Sequence, residues 1–185
     1  CAGSGIGPTM INSVIGVAKA YTTRVGEGPF PTELQDEIGE KIRERGGEYG
    51  ATTGRPRRCG WFDAVVVNHS IRVNGIREMV ITKLDVLNDF DTIKICVGYR
   101  VDGKVFDHVP ANLEILKHSE PVYEELKGWK SEIKGARNFK DLPRHAQRYL
   151  KRIKKLIGTT ITMISVGSER DETAEVKNPF LKKSF

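Results

Sequence analysis

Four residues at the end of an apolar stretch have the types and spacing of a purine-recognition motif. Thr82-Lys83-Leu84-Asp85 follows the run Glu78 to Thr82, which predicts a short buried strand. The four residues match the Asn/Thr-Lys-x-Asp pattern with which GTP-binding proteins read guanine. An Asp carboxylate can accept from N1–H and the 2-amino group of guanine, whereas adenine lacks this pair of donors. A solvated Lys beside a turn Asp also explains the four residues alone, but open α/β sheets bind ligands where strands end.

A second polar segment follows another predicted strand, Thr160 to Ile164. It is Ser165-Val166-Gly167, in which the glycine lets the backbone approach a flat base and the serine or a backbone group can form a hydrogen bond. By itself the segment is more typical of a simple turn. Together with the first motif, it indicates a possible base-binding edge of a sheet.

The third candidate is a loop rich in hydroxyls and guanidinium groups, Ala51-Thr52-Thr53-Gly54-Arg55-Pro56-Arg57-Arg58. Each guanidinium can bind two oxygens of a carboxylate or phosphate, and exposed N–H groups around a glycine can form an anion-binding nest. A solvated basic loop or a nucleic-acid patch is the alternative. The small hydroxyl residues favour a shaped anion site.

Two other glycine-rich segments are less informative. Glycines and prolines in Thr22 to Pro31 fix an unusual backbone path, which suits either ligand binding or a structural turn. Gly3 to Pro8 lacks the Gly-Lys-Ser/Thr ending of a phosphate loop. The four histidines have no Cys, Asp or Glu partner at metal-ligand spacing, so no metal ligands are predicted in this segment.

Composition predicts a soluble globular chain. The 185 residues are 38% hydrophobic and 29% charged, which is ordinary for one domain or one lobe of a larger domain, and no apolar run is long enough to span a membrane. We therefore expect a cytoplasmic protein. The three cysteines are too few for a disulfide framework. The net charge of +6 favours anionic partners without choosing among them.

The predicted elements give an α/β fold with a mixed β-sheet, flanking helices and an antiparallel hairpin. Alternation over 92–101, followed by Asp102-Gly103, predicts the hairpin. The valines of 61–73 favour a strand in a segment that is otherwise ambiguous. The remaining predictions are a core helix over 8–21, a helix that starts in a capping box at 32–35 and ends near Gly46-Gly47, an irregular region over 110–140, and an amphipathic helix over 142–157 with Gly158 as its stop.

The motifs, taken in order, resemble a known family. The blocks are Ala20 to Gly26, Gly28 to Glu33, Ala51 to Arg55 with Arg57-Arg58 and Gly60-Trp61, and Thr82 to Leu87. In order and spacing they resemble adenylosuccinate synthetase over essentially the whole chain. The resemblance implies that 1–185 is the C-terminal portion of that domain, the C-terminal lobe of a P-loop-like GTP-dependent ligase, with the N-terminal portion absent.

The resemblance also implies an activity and a set of site residues. In the family, GTP phosphorylates the 6-oxygen of IMP, and the amino group of L-aspartate then displaces phosphate to give adenylosuccinate, a step of purine nucleotide biosynthesis. By resemblance, Val25 and Arg55 bind IMP. GTP is bound by Arg57, Lys83, Leu84, Asp85, Ser165, Val166 and Gly167. The aspartate loop is Ala51, Thr52, Thr53, Gly54, Arg55, Pro56 and Arg57.

The rest of what the resemblance implies lies outside this chain. The phosphate-binding loop, the Mg2+ ligands, the general base and the catalytic His are expected in the missing N-terminal portion, so the segment alone should be inactive. Intact members are homodimers in which a neighbouring Arg reaches each active site. Two alternatives remain: a non-catalytic GTP-binding module, and a basic nucleic-acid-binding domain, for which no RRM, KH, zinc-finger or helix-turn-helix signature is present.

Overall fold

A computed structural model describes residues 1–177. The helices are α1 (Glu37–Gly46), α2 (Ala64–Asn74), α3 (Leu113–Lys117) and α4 (Arg144–Ile157), and short 3-10 turns cover Ala2–Ser4, Pro8–Met10, Leu84–Leu87 and Phe139–Asp141. The strands are β1 (Val14–Lys19), β2 (Thr22–Arg24), β3 (Arg58–Gly60), β4 (Phe62–Asp63), β5 (Ile76–Thr82), β6 (Thr92–Val101), β7 (Lys104–Phe106), β8 (Glu120–Lys127), β9 (Thr160–Ser165) and β10 (Thr173–Glu175).

The main sheet brings three strand ends to one edge. Its order is β1-β5-β9-β10, with the first three strands parallel and β10 antiparallel to β9. Lys19 lies opposite Thr82, and Ile81 lies opposite Ile164. The chain therefore leaves β1, β5 and β9 at the same edge of the sheet, which is where open α/β sheets bind ligands.

Two smaller sheets complete the architecture. In the second sheet, β6 pairs in parallel with β4 and antiparallel with both β7 and β8. The ribbon of β2 and β3 is antiparallel and places Arg24 opposite Arg58. The mixed α/β fold with flanking helices and the 92–101 hairpin are confirmed.

Helix α4 packs against α2, β8 and β9 with the face that its periodicity predicts. Its buried residues are Ala146, Tyr149, Leu150, Ile153 and Ile157. Burying such a side chain contributes about 1.5–3 kcal/mol. The Tyr149 hydroxyl also donates to the carbonyl of Ala20 at 2.6 Å, so the helix is fixed directly to the chain that leaves β1.

One prediction of element type was wrong, and one ambiguous segment differs from the strand that its valines favoured. Residues 14–19 form β1 rather than part of a core helix, because Val14, Ile15 and Val17 are β-branched and the segment pairs with β5. Val17 is 70% exposed on the open side of that strand. Residues 64–73 of the segment 61–73 instead lie in α2, whose start Asp63 fixes by accepting from the N–H groups of Val65 and Val66.

Two further boundaries differ from the sequence patterns. Helix α1 begins at Glu37 after the cap Asp36, rather than in a capping box at 32–35, and it ends at Gly46 as predicted. The region 110–140 was predicted to be irregular but contains α3 and the eight-residue strand β8. Its charged residues and Pro121 hide the strand pattern, which pairing with β6 imposes.

No helix within residues 1–177 is long and apolar enough to cross a membrane. The three cysteines are free thiols, and Cys59 and Cys96 are buried. These two buried cysteines act as small core residues.

Replacing Asp63 should destabilise the fold strongly. Its carboxylate caps α2 and also accepts from the Tyr99 hydroxyl at 2.6 Å, and both side chains are buried. Asp63→Ala should lower the free energy of unfolding by about 2–4 kcal/mol in urea denaturation, since a cap is lost and a buried hydroxyl loses its acceptor. Asn112→Ala, which removes the exposed cap of α3, should cost less than about 1 kcal/mol. Equal losses would contradict this assignment.

Candidate functional site

The strand ends of the main sheet surround a buried carboxylate. Glu48 is 0% exposed and accepts four hydrogen bonds. Lys83 Nζ (2.9 Å) and the Tyr21 hydroxyl (2.6 Å) bind Oε1, while Lys19 Nζ (2.7 Å) and Arg57 Nη1 (3.0 Å) bind Oε2. The four donors come from the ends of β1 and β5 and from the loop before β3. We call Glu48 with Lys19, Tyr21, Arg57 and Lys83 the Glu48 cluster.

Glu48 reaches this position because of how α1 ends. Gly47 adopts a left-handed conformation (φ 56°), and its N–H donates to the last carbonyls of the helix. The Glu48 N–H then donates to the Arg43 carbonyl at 2.9 Å, and the Glu48 carbonyl accepts from the Arg57 N–H at 2.9 Å. The backbone of Glu48 is therefore fixed at both its N–H and its carbonyl.

The surrounding cations keep this carboxylate ionised. Burial alone would raise the pKa of Glu48, but hydrogen bonds from Lys19, Tyr21 and Lys83 outweigh burial and lower its pKa to about 2. Burial and the neighbouring Glu48 both raise the pKa of Tyr21, which stays a neutral donor. Three cations around one carboxylate leave a net positive charge at the sheet edge, which favours anionic ligands.

The guanine-type motif lies at this edge. Lys83 has φ 58°, an uncommon conformation for a residue with a side chain, and its ammonium is held by the Gly46 carbonyl as well as by Glu48. Asp85 follows in the Leu84–Leu87 turn, anchored by the fully buried Leu84. The Oδ1 atom of Asp85 is buried and has no hydrogen-bond partner in the described part of the chain, and burial raises the pKa of this carboxyl.

The predicted base-binding segment lies beside this turn. Strand β9 contacts Leu84–Leu87, and Ser165 to Gly167 follow its end. Ser165 donates to the Gly167 carbonyl at 2.9 Å, so its hydroxyl bonds within its own loop. A Cβ atom on Gly167 would lie 2.0 Å from a carboxylate oxygen of Glu172, so a larger residue would require the Glu172 side chain to move. That side chain in turn accepts from the Glu169 N–H at 2.9 Å.

The arginine loop is a tight hairpin between α1 and β3. Gly50 N–H donates to the Arg55 carbonyl at 2.9 Å, and Gly54 N–H donates to the Gly50 carbonyl at 2.8 Å. The φ of Gly54 is 64°, a value that favours glycine. Arg55 is exposed beside the turn, whereas Arg57 binds Glu48. The buried Nε of Arg57 has no partner among residues 1–177.

A cavity of about 230 Å3 joins this hairpin to the loop after β2. The antiparallel pair β2 and β3 brings the two segments together. Val25, which is 76% exposed, lies at this cavity. The cavity is lined by Arg24, Val25, Gly26, Gly50, Thr53, Arg55, Pro56, Arg57 and Arg58. The residues predicted for IMP and several of those predicted for aspartate therefore line one basic cavity.

Sequence reasoning missed the residue that links these segments. Glu48 lies in the short run Gly46-Gly47-Glu48-Tyr49-Gly50, which is typical of an exposed turn, and Lys19 was placed in a core helix. A lone acidic residue directly after a helix-ending glycine pair was the available signal, and it does not indicate burial. Within residues 1–177, no group of three His, Cys, Asp or Glu side chains could hold a metal ion.

The contribution of Glu48 to stability should depend on pH. The ordinary pKa of a Glu is 4.5, and the folded value is about 2. A lowered folded pKa stabilises the fold above the ordinary value, and this stability is lost as the pH falls from about 4.5 to about 2. The free energy of unfolding of Glu48→Gln should therefore be about 3 kcal/mol lower than that of wild type near neutral pH. This difference should shrink towards zero in acid.

The matched control for this pH series is Glu124→Gln. Glu124 pairs with Arg152 between β8 and α4 and is partly exposed. Its loss should change the free energy of unfolding by less than about 1 kcal/mol. A difference between wild type and Glu48→Gln that stays constant from pH 7 to pH 2 would show that Glu48 is not held ionised in the fold.

Comparison with known proteins identifies the family. The family description "Adenylosuccinate synthetase" matches residues 1–174. The adenylosuccinate synthetase of Geobacter metallireducens is 58% identical over 180 residues, which are 97% of this chain and 42% of that protein. The synthetase of Caldanaerobacter subterraneus is 57% identical over 176 residues, with 95% of this chain and 41% of that protein covered.

A solved structure agrees with the sequence matches. The fully ligated adenylosuccinate synthetase of Plasmodium falciparum superposes with a TM-score of 0.91 at 41% identity, covering 95% of this chain and 42% of that one. The chain thus spans about two fifths of the length of these relatives. The shares give the extent of the match and not its position along the relatives, so the assignment to a C-terminal portion stays a prediction. The chain belongs to the adenylosuccinate synthetase family.

Proposed function

We propose that this chain supplies the guanine, IMP and aspartate contacts of a GTP-dependent ligase that joins L-aspartate to IMP. The observation that carries the proposal is the Oδ1 atom of Asp85, which is buried and has no hydrogen-bond partner within residues 1–177, next to a cationic sheet edge. A buried carboxylate oxygen without a donor costs free energy, and a ligand that brings N–H groups removes this cost. Guanine brings two adjacent donors of this kind.

The guanine contact is built from two loops. Asp85 accepts from N1–H and the 2-amino group of the base, and the Lys83 stem lies along the ring. Ser165 to Gly167 close the other side, where a glycine lets the backbone approach the flat base. Adenine would place an acceptor at its N1 against Asp85, so ATP is excluded by an unpaired buried charge.

The basic cavity takes the other two substrates. Arg55 and the hydroxyls of Thr52 and Thr53 bind the carboxylates of aspartate, Arg55 and Val25 also contact IMP, and Arg57 lies between aspartate and GTP. The Nε of Arg57, which has no partner in the part of the chain that the structure describes, is a donor available to such an anion. In the reaction, the 6-oxygen of IMP takes the γ-phosphoryl group of GTP and releases GDP. The aspartate amine then attacks C6, the C–O bond breaks, and phosphate leaves with adenylosuccinate as product.

Phosphoryl transfer requires groups beyond the motifs of these 185 residues. The chain contains no Gly-x-x-x-x-Gly-Lys-Ser/Thr sequence. A Mg2+ ion, when bound in the full-length enzyme, would neutralise charge on the phosphates. We place its ligands and the catalytic base in the remaining part of the family's length and expect the chain alone to be inactive. The homodimer that the resemblance implies stays a prediction.

Asp85→Asn tests the guanine contact. Replacing the carboxylate with an amide puts a donor against the guanine N–H groups, so the KM for GTP should rise at least about tenfold. The preference for GTP over ITP, which lacks the 2-amino group, should largely disappear. Steady-state kinetics of the full-length enzyme with GTP, ITP and ATP measures both effects.

The control is Asp89→Asn, four residues further along. Asp89 is exposed, pairs with Arg45, and has a positive φ that Asn tolerates. It should leave the nucleotide preference unchanged. Wild-type selectivity in Asp85→Asn would remove the guanine assignment.

Arg55→Leu tests the shared IMP and aspartate contact. Loss of the guanidinium should raise the KM values for both substrates by about tenfold or more and leave the KM for GTP nearly unchanged. Arg72→Leu, an exposed change on α2, is the control and should alter none of the three values. An effect of Arg55→Leu on GTP alone would contradict the assignment.

A further inference from the structure

The hydrogen-bond donors of the Glu48 cluster connect two segments of the binding edge. Two of them belong to the segments assigned to different substrates: Lys83 to the guanine loop and Arg57 to the arginine loop. Each binds a different oxygen of the same carboxylate. No other described carboxylate accepts from both segments. The two sites therefore share one buried anchor.

The anchor is too constrained to be an ordinary surface pair. Glu48 is fixed at both backbone polar groups, its carboxylate is fully buried, and each oxygen has two donors. By contrast, Lys19, Arg57 and Lys83 keep between 24% and 37% of their side-chain surface exposed. The carboxylate is rigid and hidden, while the cations that it holds can still contact a ligand.

The backbone conformation of Lys83 depends on the contacts that its side chain makes. A left-handed backbone costs a non-glycine residue on the order of 1 kcal/mol, so neighbouring interactions must maintain it. The Gly46 carbonyl and Glu48 supply those interactions at the end of the side chain. Without the Glu48 charge, the Lys83 ammonium keeps one strong acceptor rather than two. Arg57 loses its only carboxylate partner among the described residues.

We propose that Glu48 is a positioning residue, touching no substrate, that fixes Lys83 for the guanine ring and Arg57 for the aspartate and nucleotide anions in one geometry. This inference rests on the proposed function. It predicts that one substitution outside both pockets impairs both of them. Glu48→Gln keeps the shape and removes the charge, and it should raise the KM values for GTP and for aspartate by about tenfold each.

A double-mutant cycle separates this role from general destabilisation. In a Lys83→Met background, Glu48→Gln should change the KM for GTP by less than about twofold, because the residue through which it acts is already gone. Its effect on the KM for aspartate, which acts through Arg57, should persist in that background. A merely structural role would give the same factors in both backgrounds, and that result would overturn the proposal.

Controls make the outcome decisive. Glu124→Gln removes a paired carboxylate between β8 and α4 and should leave both KM values unchanged. If Glu48→Gln does not fold, Tyr21→Phe removes one hydrogen bond to Glu48 without changing the charge, and both KM values should rise together by about two- to threefold. Unchanged values in Tyr21→Phe would overturn the proposal in that case.

The same assays distinguish the two levels of inference. All variants are made in the full-length enzyme, and wild type is assayed first for adenylosuccinate formation from IMP, GTP and aspartate. Absence of that activity in wild type contradicts the proposed function itself. An active wild type with an active Glu48→Gln variant of unchanged KM values contradicts only the positioning role.

Discussion

The burial of a single carboxylate with three cations constrains the whole binding edge. Removing Glu48 from water is unfavourable unless every oxygen lone pair finds a donor, and the fold supplies four donors from three separate segments. The ends of β1 and β5, the end of α1 and the arginine hairpin must therefore all lie at fixed distances from one point. The parallel register of β1 and β5 is what makes this possible, because Lys19 lies opposite Thr82.

The same edge shows how polar groups are divided between structure and binding. The Tyr21 hydroxyl donates to Glu48 inside the protein, whereas Asp85 and Arg57 each retain a buried polar atom with no partner among the described residues. Unpaired buried groups are rare in folded proteins because they cost free energy. The Asp85 oxygen is an acceptor and the Arg57 nitrogen, within the Glu48 cluster, is a donor, so a ligand that brings the opposite group would complete each of them.

Sequence patterns predicted the parts of the molecule in which local and tertiary preferences agree. The strand over 92–101, its turn and the apolar face of α4 follow directly from periodicity. The patterns failed where pairing with another strand decides the element type. The apolar residues of β1 also suit one face of a helix, and β8 is polar enough to resemble a loop. At the site, motif residues such as Lys83 and Asp85 were found by type and spacing. Glu48 was not, because nothing in a sequence marks a charge as buried.

The position of the cluster in the chain bears on how the protein reaches its native state. Its members come from residues 19, 21, 48, 57 and 83, so most of its contacts close loops of tens of residues. Closing such loops costs chain entropy before the contacts form, which places them late in folding relative to α4 or the 92–101 hairpin. A chain with native-like helices and strands can thus still expose an uncompensated Glu48. Binding competence in this sense follows the local helices and hairpin rather than accompanying them.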